Sequence, residues 1–141
     1  MMTWNESLSL GEPMIDSQHR ELLSRADSLL AAMREGRSRC EIEPLLSFLR
    51  EYSERHLVDE AALMRAADYP DLTIHLAQHD FFTERLEKLL AEFREYGPTT
   101  AVAASLHQLV CSWFVKHITS HDAKLAAFLA PNASRSGSRV R

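Results

Sequence analysis

The chain has little that would staple it, anchor it or break it into parts. Two cysteines, Cys40 and Cys111, in 141 residues make no disulfide framework, which fits a reducing cytoplasmic setting. No apolar run is long enough to cross a bilayer, so no membrane partner is expected. Residues 1–14 carry Glu6, Glu12 and Pro13 without a long apolar stretch and do not read as a signal peptide. The net charge of -4 gives no case for nucleic acid as a partner. There are only four glycines, no internal repeat and no strand-like alternation. A chain of this length can bury a proper core as one domain without staples.

What remains is helical periodicity. The first helix is expected over 16–36, with Asp16 as N-cap, Glu21 in the early turns and Gly36 as the stop. Its inward stripe reads His19, Leu22, Leu23, Ala26, Leu29, Leu30 and Met33. The second runs over 41–67, since Pro44 is tolerated only near a helix start and Tyr69-Pro70 breaks the chain. Its stripe is Leu45, Leu49, Tyr52, His56, Glu60 and Leu63, with Met64 beside it. The third, over 71–96, spaces 72, 75, 79, 82, 86, 89 and 93 by alternating threes and fours, and Gly97-Pro98 ends it. The fourth, over 99–130, turns Val102, Leu106, Leu109, Trp113, His117, Leu125 and Phe128 inward. The expectation is an all-α, up-down-up-down antiparallel four-helix bundle with an extended N-terminal arm. Residues 1–130 form the domain, and 131–141 form a flexible basic tail carrying Arg135, Arg139 and Arg141.

His75 and His79 stand four apart on the inward stripe of the third helix, and imidazole is the commonest side-chain metal ligand. Counting along neighbouring helices from their shared turns puts His19, His56, Glu60 and His117 within about one helical turn of the same height. Unpaired polar groups are costly in a core, so four helices bringing them to one level point to a metal site. His107 lies off its stripe and reads as a surface histidine. Six or seven donors exceed a tetrahedral zinc site, and mixed imidazole and carboxylate favours iron or manganese over calcium or magnesium. The last donor is open between two neighbours. His121 is four residues from His117, the favoured spacing. Asp122 is five away, about 140° around an ideal helix, so it converges with His117 only through a local distortion such as a π-bulge. Charge balance favours Asp122 and regular geometry favours His121.

Several segments together resemble the bacterial hemerythrins. They are Trp4-Asn5-Glu6, Ile15-Asp16-Ser17-Gln18-His19-Arg20-Glu21-Leu22, the stretch from His56 to Met64 with Tyr69-Pro70, His75 to Phe82, and Trp113-Phe114 with His117-Ile118, Asp122 and Leu125. The resemblance covers about residues 4–130. It implies a non-haem di-iron centre, oxo- or hydroxo-bridged, that binds O2 reversibly. Carried over by position, it assigns the metal to His75, His79 and His117 at one iron and to His19 and His56 at the other. Glu60 and Asp122 bridge the two, and His121 is left outside. The two-His iron then keeps the open position for O2, in a dry pocket lined by Leu22, Leu23, Tyr52, Trp113 and Ile118. Leu57, Ala61 and His121 depart from the family's usual pattern. The function implied is oxygen storage, delivery (oxygen transport) or sensing by a monomer, with a redox or signalling protein as a further partner. The alternative is a di-iron redox enzyme: a peroxidase, nitric oxide reductase or ferroxidase.

Overall fold

The computed structural model describes residues 4, 6–37 and 39–130. The expected basic tail, 131–141, and Asn5 of the N-terminal motif lie outside the described residues. A short 3-10 turn, Glu6–Leu8, precedes three long helices, α1 (Pro13–Arg34), α2 (Arg39–Ala66) and α3 (Leu72–Tyr96). A fourth helix occupies 100–129. Each helix packs on the next and α1 closes on the fourth, which makes the antiparallel up-down-up-down bundle. The arm lies against it, with Leu8 buried and Trp4 and Leu10 packed on the core.

The helix ends follow local chemistry. α1 begins at Pro13, earlier than expected, because proline's fixed φ and missing N–H suit the first helical position. Asp16 is therefore inside the helix and does not cap it. Its carboxylate instead accepts from Ser9 Oγ at 2.7 Å, Leu10 N at 2.8 Å and Gly11 N at 3.3 Å, tying the arm down. At the other end, Gly36 takes φ +68° and Arg37 N reaches back to Ala32 O at 3.1 Å, a glycine-terminated helix end. Asp68 does the same for α2 at φ 54°, with Tyr69 N bonded to Met64 O at 3.0 Å. Thr99 caps the fourth helix by accepting from Val102 N at 3.1 Å.

Two apolar cores fill the bundle, and each helix crosses from one to the other. The larger contains Leu22 to Leu30 of α1, Ile42 to Leu49 of α2, Phe82 to Phe93 of α3 and Val102 to Ile118 of the fourth helix. The smaller holds Ile15, Ala61, Met64, Tyr69 and Leu125. On each helix the predicted metal donors sit at or beside the junction of the two. The polar layer is thus walled by apolar side chains above and below.

The inward face of α2 matches the expected stripe at Leu49, His56, Glu60 and Met64 and departs from it elsewhere. Ile42, Leu46, Leu49 and Ser53 are buried, while Leu45, Tyr52 and Leu63 are half-buried. Ser53 escapes a hydrophobic pattern, yet it is buried at no cost because its hydroxyl donates to Arg50 O at 2.9 Å.

Candidate metal centre

α1 contributes His19, α2 His56 and Glu60, α3 His75 and His79, and the fourth helix His117 and Asp122. All seven are buried, with exposures from 0% to 5%. Glu60 Oε1 lies 2.8 Å from Nε2 of both His75 and His79, and Oε2 lies 3.6 Å from Nε2 of His56. Asp122 Oδ2 is 3.0 Å from His19 Nε2, while Oδ1 is 3.0 Å from His75 Nε2 and 3.2 Å from His117 Nε2. Both carboxylates therefore reach imidazoles on each side of the layer.

The donors sort into two overlapping sets whose ligand atoms lie within 4.8 Å of one another. One contains His75, His79, His117, Glu60 and Asp122. The other contains His19, His56, Glu60 and Asp122. Sharing two carboxylates between three imidazoles on one side and two on the other is a donor set for two adjacent ions. The atoms left over point the same way. Nε2 of His19, His56 and His117, Oε2 of Glu60 and both oxygens of Asp122 are buried without an aligned hydrogen bond among the described residues. An unmet buried polar atom costs about 1–3 kcal/mol, so this many converging on one place fit cations and little else. Iron, with its affinity for imidazole and carboxylate together, suits the set.

The electrostatics keep the bridging carboxylates ionised. Burial and mutual repulsion would raise Glu60, but hydrogen bonds from His75 and His79 bring it below its ordinary value. Burial would also raise Asp122, and the His117, His19 and His75 imidazoles hold it well below the usual carboxylate range. Burial would lower His75, but its contacts with Asp122 and Glu60 outweigh this and raise it to about 9. For His56 burial dominates and pushes it down to about 4, since Glu60 stands farther off at 3.6 Å and offsets only part of it.

The fourth helix brings Asp122, not His121, to the centre. It is α-helical over Thr100–His107, Val115–His117 and Ala123–Leu129 and π-helical over Gln108–Phe114 and Ile118–Asp122. In the second π-segment Ala123 N–H reaches back five residues to Ile118 O. Thr119 Oγ1 bonds Val115 O at 3.0 Å and Ser120 Oγ bonds Lys116 O at 2.6 Å, serving carbonyls in the turn that the widening disturbs. His121 is left half-buried, its ring stacked on His117 at 5.5 Å. His107 is exposed, as expected.

Of the expected lining, Leu22, Leu23 and Ile118 are fully buried. Tyr52 is half-buried against the larger core and stacks on Phe48 at 5.9 Å, with Arg55 over its ring. Trp113 is also half-buried and stacks on His117 at 5.1 Å with 8° between planes, so it covers the three-His side. The fully inward aromatic is Phe114, which a regular helical period does not turn to the core. Its ring lies edge-on to His19 at 5.5 Å and to His56 at 6.2 Å. The first π-segment accounts for the difference, since widening the turn moves the inward position from 113 to 114. A cavity of about 160 Å³ between Tyr69, Ile74, His121 and Lys124 reaches His75, again on the three-His side.

Fold and site together define a four-helix bundle with a buried His- and carboxylate-rich site able to hold a di-iron centre. The chain belongs to the hemerythrin family: residues 11–129 match the hemerythrin HHE cation binding domain. It is similar to the bacteriohemerythrin of Stenotrophomonas maltophilia, at 25% identity over 86% of this chain and 77% of that one. It is also similar to the bacteriohemerythrin of Campylobacter jejuni, at 27% over 90% and 95%, and to that of Clostridium acetobutylicum, at 24% over 86% and 96%. No helix among the described residues is long and apolar enough to cross a membrane.

Proposed function

We propose that this protein binds O2 reversibly at two iron ions, for oxygen storage, delivery or sensing. His75, His79 and His117 would hold one ion and His19 and His56 the other, with Glu60 and Asp122 placed in both donor sets. The observation that carries the reading is the inequality of the two donor sets. The side with one imidazole fewer is the side with room for an external ligand, and it is the side that Phe114 closes off. Iron bound there supplies the electrons and the coordination position that O2 requires.

The chain's own contribution is to keep that position dry. Leu22, Leu23, Phe114 and Ile118 exclude water around His19 and His56. Asp16 is the one buried carboxylate among the described residues outside the donor sets, and it is occupied in holding the arm.

The test is spectroscopic. The iron-loaded protein is reduced anaerobically, exposed to O2 and followed in the visible range. A new absorption band that disappears on purging with inert gas and returns with O2 is expected. Immediate irreversible oxidation, with turnover of peroxide or nitric oxide, would replace the carrier reading with the enzyme reading.

A further inference from the structure

Gln18 belongs to the motif that carries His19, and Asp59 to the one that carries Glu60, yet neither is among the clustered donors. The structure connects both to the centre by another route. Gln18, 8% exposed, sits on α1 but serves α2: its Oε1 lies 2.8 Å from Nδ1 of His56. Its Nε2 donates to Oδ2 of Asp59 at 2.7 Å. Asp59 is half-buried, so the chain of contacts runs from the centre to the edge of the bundle.

The donor and acceptor inventory fixes the protons. An ionised carboxylate only accepts, so the amide nitrogen of Gln18 faces Asp59 and the amide oxygen faces His56. An amide oxygen also only accepts, so His56 Nδ1 carries the proton. The lone pair is then on Nε2, the atom that faces Glu60 Oε2 across 3.6 Å. Nδ1 of His19, His75 and His117 has no such partner among the described residues.

We propose that Gln18 and Asp59 form a positioning relay that locks His56 in its Nδ1–H tautomer, aims Nε2 at the two-His metal position and passes the negative charge of Asp59 towards that position. The proposal rests on the metal reading above. Partners of this kind orient a ligating imidazole and raise its basicity. Acting on one of only two imidazoles there, the relay sets the two positions apart electronically.

Two measurements test it without O2. Nitrogen-15 NMR of the metal-free protein should show His56 as the Nδ1–H tautomer. In Asp59→Asn it should become a mixture, because an amide can donate or accept and Gln18 is free to turn over. Competition with a chromophoric chelator for zinc(II) should show two ions bound by the parent protein. Gln18→Met should weaken one of them about ten- to a hundredfold and leave the other unchanged. Combining Gln18→Glu with Asp59→Asn restores an acceptor facing His56 and should recover that affinity. An Nε2–H tautomer in the parent protein, an unchanged tautomer in Asp59→Asn, or equal weakening of both zinc ions would overturn the relay. If Gln18→Met does not fold, the His56 tautomer in Asp59→Asn still decides. Binding of fewer than two zinc ions by the parent would instead count against the dinuclear reading, and the NMR result would judge the relay separately.

Discussion

α3 and the fourth helix each give the centre two donors, but they do so by different geometry. In α3 the buried positions are His75, His79, Phe82, Leu86, Leu89, Leu90 and Phe93, the threes and fours of a regular helix. In the fourth helix Val102, Leu106, Val110, Phe114, Ile118, Asp122 and Ala126 are all buried, one every four residues. A regular helix advances about 40° too far with each such step, about 240° over the series. A regular helix would carry this series round its circumference, and the two π-segments offset that drift, so these side chains are buried together with Leu109, His117 and Leu125. Regular helix suffices where both donors are four apart. The distortion is found where they are five apart, in keeping with π-bulges clustering at functional sites.

The sharpest way to break this contrast is to change helix lengths by one residue. Inserting Ala between Leu76 and Ala77 swings His79 about 100° off the site and should abolish binding at the three-His position, measured as bound metal per chain. Deleting Ser120 should be far better tolerated. It removes the residue that the π-segment accommodates and leaves His117 and the aspartate four apart, which a regular helix aligns. Equal loss of metal in both variants would show that the fourth helix needs its distortion for more than alignment.

Next in size is the choice between neighbours. Asp122→Ala should lose the ion pair, because both donor sets share that carboxylate, whereas His121→Ala should keep full stoichiometry by iron analysis. The opposite result would move the bridge to His121. A smaller effect separates positions 113 and 114. Phe114→Ala should cost about 3–5 kcal/mol in denaturant unfolding, as for a fully buried aromatic, and half-buried Trp113→Ala clearly less. If Trp113→Ala costs more, the inward face is the one that regular periodicity implies. The smallest is Thr99→Ala, which removes the cap of the fourth helix and should cost about 1 kcal/mol with the metal content unchanged.

The same contrast explains what could be read in advance. The stripe of α3 was legible because its spacing is that of an ideal helix, and apart from half-buried Leu72 every expected position is buried. The height of the donors was legible because helical rise is constant. Phe114 was not, since Trp113 is the better match to a regular period. The Thr119-Ser120 pair ahead of Asp122 was the available signal for the distortion, because both hydroxyls return to carbonyls three or four residues back. On α2, Ser53 hid the inward face behind a polar name. At the start of α1, Asp16 has the chemistry of a cap, but Pro13 had already fixed the helix start, and the carboxylate went to the arm instead.

Local pattern is enough to form four amphipathic helices and to bring a histidine from each, with Glu60 of α2, to one level. Both follow from local periodicity and a fixed rise per residue. Packing between helices selects which of two adjacent residues, His121 or Asp122, enters the core, turns Phe114 to His19 and His56, and sets Gln18 of one helix against His56 of another. Those outcomes depend on how far one helix unwinds to meet its neighbours and on hydrogen bonds between residues far apart in the chain. Neither leaves a regular period to read.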